Sequence, residues 1–206
     1  MEIVLATRNK NKIKEISRAL KIPGLNILTM DNFRNIPEVI EDRRTLKENA
    51  LKKASEVNSR TGHISLSDDS GLEVDFLKGA PGVYSARFAG EGCTYQDNNN
   101  KLLRSLDGVP QSKRGALFRT VIVIKVPGRE PVVVEGRCRG KIAFKNKGSR
   151  GFGYDPIFIP SNYKKTYAEM SLSYKNRISH RGKALEKAKR VLLSLMKKLS
   201  GRSVGG

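Results

Sequence analysis

Tryptophan is absent from this chain, and cysteine and histidine nearly so: Cys93, Cys138, His63 and His180 are the full complement. The two cysteines stand far apart in no metal-binding spacing. Neither a disulfide framework nor a zinc site is therefore expected, and the thiols read as free and buried or half-buried. Two histidines are too few for histidine-rich metal chemistry. No apolar run approaches the roughly 20 residues that span a bilayer. The opening MEIVLATRNK lacks the charged, apolar, small order of a signal peptide. A cytoplasmic protein without a membrane segment is expected. Aromatics are only 6%, and no RRM, KH or helix-turn-helix pattern is present. Acids are the last shortage: 20 Asp and Glu face 40 Lys and Arg, a formal net charge of +20. That balance suits an anionic partner, nucleic acid or nucleotide, and equally a lysine-rich surface of the heat-tolerant kind.

What is present is patterned. A chain of 206 residues fits one domain, or one domain in two lobes. Residues 2–6 form an apolar strand, followed by a helix over 12–20 with Ile13, Ile16 and Leu20 at helical spacing. A strand over 25–29 and a polar loop over 31–44 precede a helix over 45–58. There Leu46, Ala50, Ala54 and Val57 share a face, and Thr45 with Glu48 makes a capping box. A strand over 64–67 is expected to stop at Asp68-Asp69-Ser70-Gly71. An alternating strand follows over 72–77, then a helix over 94–106. Residues 116–126 and 131–139 read as a hairpin through Pro127-Gly128, extendable over 140–144. A glycine loop spans 148–154, a short strand 155–160, and an amphipathic helix 183–199. The fold class is mixed α/β, without the regular repetition of a fully parallel sheet. The tail over 201–206 is expected to be flexible.

Several stretches suit phosphate chemistry. ATRNKNK takes a strand into a helix N-terminus, where free N–H groups and the dipole favour anions. Thr7 and Asn9 offer polar side chains there, and Lys12 a charge; a solvated helix start is the plainer explanation. Asp68 and Asp69 are hard oxygen ligands suited to Mg²⁺, although Asp-rich turns are common. Adjacent strand residues point to opposite faces, so one acid is expected to face a cleft while the other braces the turn. Glu41 has no evident structural purpose, and capping suffices for Glu48. In GSRGFGYDP, glycines permit close backbone approach and Phe152 or Tyr154 is placed to stack on a base. In KNRISHRGKAL, Lys175, His180 and Arg181 gather near the start of the last helix, or merely extend a basic surface.

In chain order, TRNKNK, SDDSGLEVD, GAPGVYSARFAG, GFGYDPIF and SHRGKAL resemble the inosine triphosphate pyrophosphatase, or Ham1-like, family over about residues 1–190. The resemblance implies an elongated mixed sheet in two lobes with a nucleotide cleft between them, and a homodimer. It implies hydrolysis of ITP, dITP and XTP to the monophosphate and pyrophosphate, with one Mg²⁺ per subunit. It assigns Thr7, Arg8, Asn9, Lys10, Asn11 and Lys12 to the triphosphate and Glu41 with Asp69 to the metal. Asp69, Asp68 and Lys12 become the catalytic set, with Asp69 orienting the water. Ser70, Phe152, Gly153, Tyr154, Asp155, Lys175, His180 and Arg181 become nucleotide contacts. Inosine and xanthine carry oxygen at C6 where adenine carries an amino group. Donors at that position, for which Arg181 and backbone N–H groups near His180 are the candidates, would face a donor in ATP at a cost of about 1–3 kcal/mol each. Arg8 departs from the small residue usual in this turn; it is expected to point outward or to add a phosphate contact. Two other readings of the sequence stand beside it: a basic nucleic-acid-binding protein reusing the fold, and a phosphatase of broader nucleotide range.

Overall fold

A computed structural model describes residues 1–200; the tail at 201–206 lies outside the described residues. In chain order the elements are β1 (Glu2–Leu5), α1 (Lys10–Ala19), β2 (Asn26–Thr29), α2 (Leu46–Thr61), β3 (Ile64–Val74), β4 (Pro81–Gly82), α3 (Tyr95–Ser105), β5 (Gly115–Lys125), β6 (Val132–Ile142), β7 (Phe158–Pro160), α4 (Leu172–Ile178) and α5 (His180–Ser200). The seven strands form one sheet in the order β2-β1-β3-β5-β6-β7, with β4 on β3. β1 runs parallel to both β2 and β3, whereas β3–β4 and β6–β7 are antiparallel, so the sheet is mixed. No helix among the described residues is long and apolar enough to cross a membrane.

The chain gathers into two compact units, and β3, β5 and β6 each contribute residues to both. The first unit comprises Met1–Asp69, Val121–Glu135 and the chain from Lys183. Its core joins Ile3 and Leu5 of β1, Leu66 of β3 and Ile122 and Ile124 of β5 to two helical stripes. These are Ile16 and Leu20 on α1, and Ala184, Leu185, Ala188 and Leu192 on α5. A smaller cluster packs Val4, Ala6, Met30, Ile36, Val39 and Val57. The second unit comprises Ser70–Thr120 and Gly136–Gly182. Its core is more aromatic: Phe118 packs against Phe158, Tyr154 and Tyr167. Cys138 is buried and Cys93 half-buried, both free, in line with the sequence.

Four expectations fail at their boundaries. β3 does not stop at the paired acids but runs on through Ser70 and Gly71 to Val74. It is held first by β1 and then by β4, and Ser85 Oγ accepts from Leu72 N at 2.9 Å. The alternation over 72–77 ends in a 3-10 turn at Asp75–Leu77. Only Phe158–Pro160 of the stretch 155–160 is strand, because Tyr154 O accepts from Phe158 N and Ile157 N in a tight turn. Lys175 does not open the last helix. It lies in a separate helix, α4, which ends where Ser179 adopts extended backbone.

Candidate active site

In the first unit the paired acids face two different helices. Ser65 and Ser67 donate from Oγ to Ala54 O and Ala50 O of α2, each at 2.6 Å, so the odd-numbered face of β3 lies on α2. Asp69 continues that face by the two-residue period of a strand, and Lys53 of α2 meets it, Nζ to Oδ1 3.9 Å. Leu66 on the other face packs with Ile16 and Leu20 of α1. Asp68 continues that face and meets Lys12, one helical turn before Ile16, at 3.2 Å from Nζ to Oδ1. Asp68 is 0% and Asp69 5% exposed, so neither is the solvated turn residue that the plain explanation required. Opposite facing holds, but both acids are buried and each meets a lysine.

Lys53 is the pivot. Its Nζ donates to Glu41 Oε1 and to Asp68 O, the latter at 2.6 Å, besides its pairing with Asp69. Burial works against its charge, but Asp69, Glu41 and Asp68 outweigh burial and hold its pKa above the usual lysine value. Burial raises the Asp69 carboxyl to about 6, with Glu41 and Asp68 adding to the rise and Lys53 and Lys12 opposing it. Glu41 goes the other way: burial is overcome by Lys53 and Lys12, and it stays below the ordinary carboxylate value. Sequence reasoning missed Lys53, yet a signal exists. On α2 it lies at i+7 from Leu46 and i+3 from Ala50, a core position of the amphipathic stripe, as does Asn49. A lysine there needs partners.

The loop that carries Glu41 is clamped from α2. Lys52 Nζ donates to Ile40 O and Asp42 Oδ1, both at 2.9 Å. Asn49 Oδ1 accepts from Arg43 N at 2.9 Å. Glu48 is consumed by the capping box with Thr45. In the N-terminal turn, Asn9 Oδ1 caps α1 by accepting from Asn11 N and Lys12 N at 3.0 and 3.2 Å, and Thr7 Oγ1 accepts from Asn9 N. Lys10 and Asn11 are exposed. Arg8 turns to Asp31 and donates from Nη2 to Ile36 O at 2.8 Å.

Among the described residues no three His, Cys, Asp or Glu side chains are grouped to hold a metal ion alone. Glu41 and Asp69 nevertheless converge on one cation position, taken by Lys53 Nζ. Two carboxylates suffice for a hard divalent ion that keeps waters and phosphate oxygens in its shell. The donors therefore fit Mg²⁺ bound together with a phosphate ligand.

The second unit brings together most of the expected base-binding residues. Asp155 Oδ2 accepts from Lys175 Nζ at 2.5 Å and from Phe152 N at 2.9 Å; both side chains of the ion pair are buried. The Lys175 ammonium and Arg181 guanidinium lie 5.0 and 5.3 Å from the centre of the Phe152 ring. Arg181 Nη2 donates to Ser70 Oγ at 3.1 Å, and Ser70 Oγ pairs with Thr120 Oγ1 at 2.6 Å. His180 stacks on Phe118, ring centres 4.2 Å apart and nearly parallel. Asn99 Nδ2 fixes the loop by donating to Gly153 O. Tyr154 departs from its partners: it is buried and donates to Ser85 O at 2.9 Å, so Phe152 is the aromatic left for a base. Two glycines make room for the protein's own atoms. A Cβ at Gly151 (φ +77°) would lie 2.0 Å from Asp155 Oδ2, and one at Gly182 1.6 Å from Asn176 O. Thr120, Asn99 and the close approach at Gly182 were not legible beforehand.

The Ham1 family model matches residues 3–191. The chain belongs to the Ham1 family. It is 52% identical to the dITP/XTP pyrophosphatase of Desulforamulus reducens, over 93% of this chain and 96% of that one. It is 48% identical to the dITP/XTP pyrophosphatase of Desulfotalea psychrophila, over 97% and 89%. The structure of a HAM1 protein from Coxiella burnetii superposes with TM-score 0.86 at 38% identity, over 94% of this chain and 99% of that one. That of the Staphylococcus aureus Ham1 protein does so with 0.85 at 36%, again over 94% and 99%. GAPGVYSAR, specific to the family in the sequence, is partly structural here. Its Ser85 accepts from Leu72 N, donates to Gly82 O, and accepts from Tyr154 through its carbonyl.

Proposed function

We propose that this chain is a nucleoside triphosphate pyrophosphatase that removes ITP, dITP and XTP from the nucleotide pool by cleaving the α–β anhydride. The carrying observation is the set Lys12–Asp68 and Lys53–Asp69–Glu41, buried at Lys53, Asp68 and Asp69 and half-buried at Lys12 and Glu41. Uncompensated carboxylates repel a triphosphate, and uncompensated lysines leave a metal no ligand; this set offers both charges side by side.

Glu41 and Asp69 would hold one Mg²⁺ per subunit, which when bound neutralises phosphate charge and makes a coordinated water more acidic. Lys12 and Lys53 bring positive charge to the phosphates, and Asp68 fixes the Lys12 ammonium. The α1 N-terminus adds its dipole. Asp69 orients the attacking water and takes its proton as the new phosphorus–oxygen bond forms and the anhydride bond breaks. Asp68 supports Asp69 from the neighbouring strand position. Positioning and charge neutralisation supply the acceleration.

The base end is assigned to the second unit. Phe152 offers a ring face, and Gly153 and Asp155 shape the loop under it. Lys175, Ser70, His180 and Arg181 complete the contacts, with Arg181 donating to the C6 oxygen. The homodimer and the cytoplasmic setting belong to this proposal as family expectations. The test is product identity: dITP incubated with enzyme and Mg²⁺ should yield dIMP and pyrophosphate in equal amounts by anion-exchange chromatography. Orthophosphate as the first product would reject α–β cleavage.

A further inference from the structure

Catalysis does not account for where this protein carries its charge. Residues 1–69 are nearly balanced, with 13 Lys and Arg against 10 Asp and Glu. Residues 136–182 hold 11 Lys and Arg against two acids, Asp155 and Glu169. Both acids are consumed internally. Asp155 is buried against Lys175, and Glu169 Oε2 accepts from Thr166 N at 2.8 Å in a capping box. Uncancelled positive charge therefore reaches the surface.

Much of it lies on one ledge. Every residue from Phe144 to Arg150 is exposed, as are Lys164 and Lys165. The two segments are stitched together: Thr166 Oγ1 donates to Lys147 O at 2.8 Å, and Arg150 N donates to Ala168 O at 3.1 Å. A Cβ on Gly148 (φ +79°) would lie 2.4 Å from Ala168 C, so only glycine lets the backbones approach this closely. Hydrogen bonds from Thr166 hold the Glu169 carboxyl below its ordinary pKa, and Lys147 and Lys165 both add to the effect from either segment. Lys145, Lys147, Arg150, Lys164 and Lys165 are thus five cations on two joined loops. At the head of the first loop stands Phe144, 62% exposed. The Arg114 guanidinium lies 4.6 Å from its ring centre. That guanidinium is itself buried and fixed by Leu106 O, Ile142 O and Ala143 O at 2.7–3.0 Å. The ring is backed by a rigid cation and open to solvent.

We propose that this ledge docks single-stranded nucleic acid. Exposed, spaced cations suit a polyanion, whereas the small triphosphate is assigned to the cluster of Lys12, Lys53, Asp68, Asp69 and Glu41 in the other unit. An open aromatic platform is useful for an unstacked base and not for bases already stacked in a duplex. The ledge offers a membrane only Phe144 as an apolar anchor, with charge on every side. The proposal stands independently of the pyrophosphatase activity and uses residues outside that machinery.

The test is fluorescence anisotropy of a labelled oligo(dT) of about 20 nucleotides against the full chain over a salt series. With all five cations engaged, log affinity against log salt has a slope of about −3.5, at about −0.7 per phosphate neutralised. Replacing Lys145, Lys147, Lys164 and Lys165 together by Ala flattens the slope to about −0.7. Phe144→Ala weakens binding about tenfold with the slope unchanged. Both variants keep the wild-type melting temperature and pyrophosphate release. A four-lysine variant that binds like wild type overturns the site. Equal affinity for a duplex of the same length, with Phe144→Ala silent, overturns the single-strand assignment in favour of simple charge attraction. Binding to phosphatidylserine vesicles without oligonucleotide binding overturns it in favour of a membrane surface.

Discussion

Replacing Lys53 by Met keeps the length of the aliphatic stem and deletes the ammonium. In the metal-free protein this takes from Glu41 and Asp69 the ammonium they share, while Lys12 stays on Asp68. Removing one partner of a buried ion pair costs about 3–5 kcal/mol, because the charge left behind is uncompensated. For a chain of this length each kcal/mol moves Tm by about 2–4 °C, so calorimetry in EDTA at pH 8 should show a fall of roughly 6–20 °C. The pH dependence carries a definite sign. Asp69 sits at about 6 in the fold against an ordinary value of 3.8. Its protonated form is therefore favoured in the folded state. The stability it contributes is fullest below pH 3.8, declines as pH rises to about 6, and is level above that. Without Lys53 the folded value moves higher still and the decline extends further up the scale. Glu41 loses the charge that lowers its pKa. The gap between wild type and variant should thus narrow from pH 8 to pH 5. A Tm within about 2 °C of wild type at pH 8, or a gap that widens toward pH 5, would refute the pivot.

Lys52→Met loosens the loop on both sides of Glu41 without touching a proposed ligand. The Mg²⁺ half-saturation, and the Mg²⁺ concentration that raises Tm, should increase about tenfold, with KM at saturating Mg²⁺ unchanged and Lys52→Arg partly restoring both. An unchanged metal requirement would make the clamp irrelevant. Gly182→Ala forces a methyl onto Asn176 O at the α4–α5 junction and should destabilise by about 1–3 kcal/mol or more in urea titration. Arg181→Ala should lower turnover of ITP relative to ATP about tenfold or more if its guanidinium meets the C6 oxygen. An unaltered ratio assigns Arg181 to holding Ser70 alone.

The elements whose apolar spacing is regular were legible in the sequence. α1, α2 and the body of α5 lie close to where Ile13–Leu20, Leu46–Val57 and Leu185–Leu199 place them. The capping box at Thr45 and Glu48 forms as its four-residue pattern prescribes. What escaped depends on partners distant in sequence. β3 continues past Asp68-Asp69 because two lysines from different helices neutralise the acids, so a polar pair that would end a strand locally is buried within one. α4 is only seven residues long and carries no apolar stripe long enough to read. For the site, residue types pointed to phosphate and metal chemistry, and the family resemblance proposed the positions. Lys53 stood in view at a core position of α2, but a buried lysine makes sense only once three acids are seen around it. Tyr154 shows the reverse failure: like Phe152 in character and two residues on, it faces the core, and nothing in GFGYDP tells the two apart.

Pyrophosphate release measured with Mg²⁺ from ITP, dITP, XTP, ATP and GTP, for wild type beside Asp69→Asn, tests the central claim most directly. The account predicts selective turnover of the three deaminated purines and its loss in the variant by at least about a hundredfold, with the fold retained. Equal turnover of ATP and ITP, or a variant as active as wild type, would contradict it.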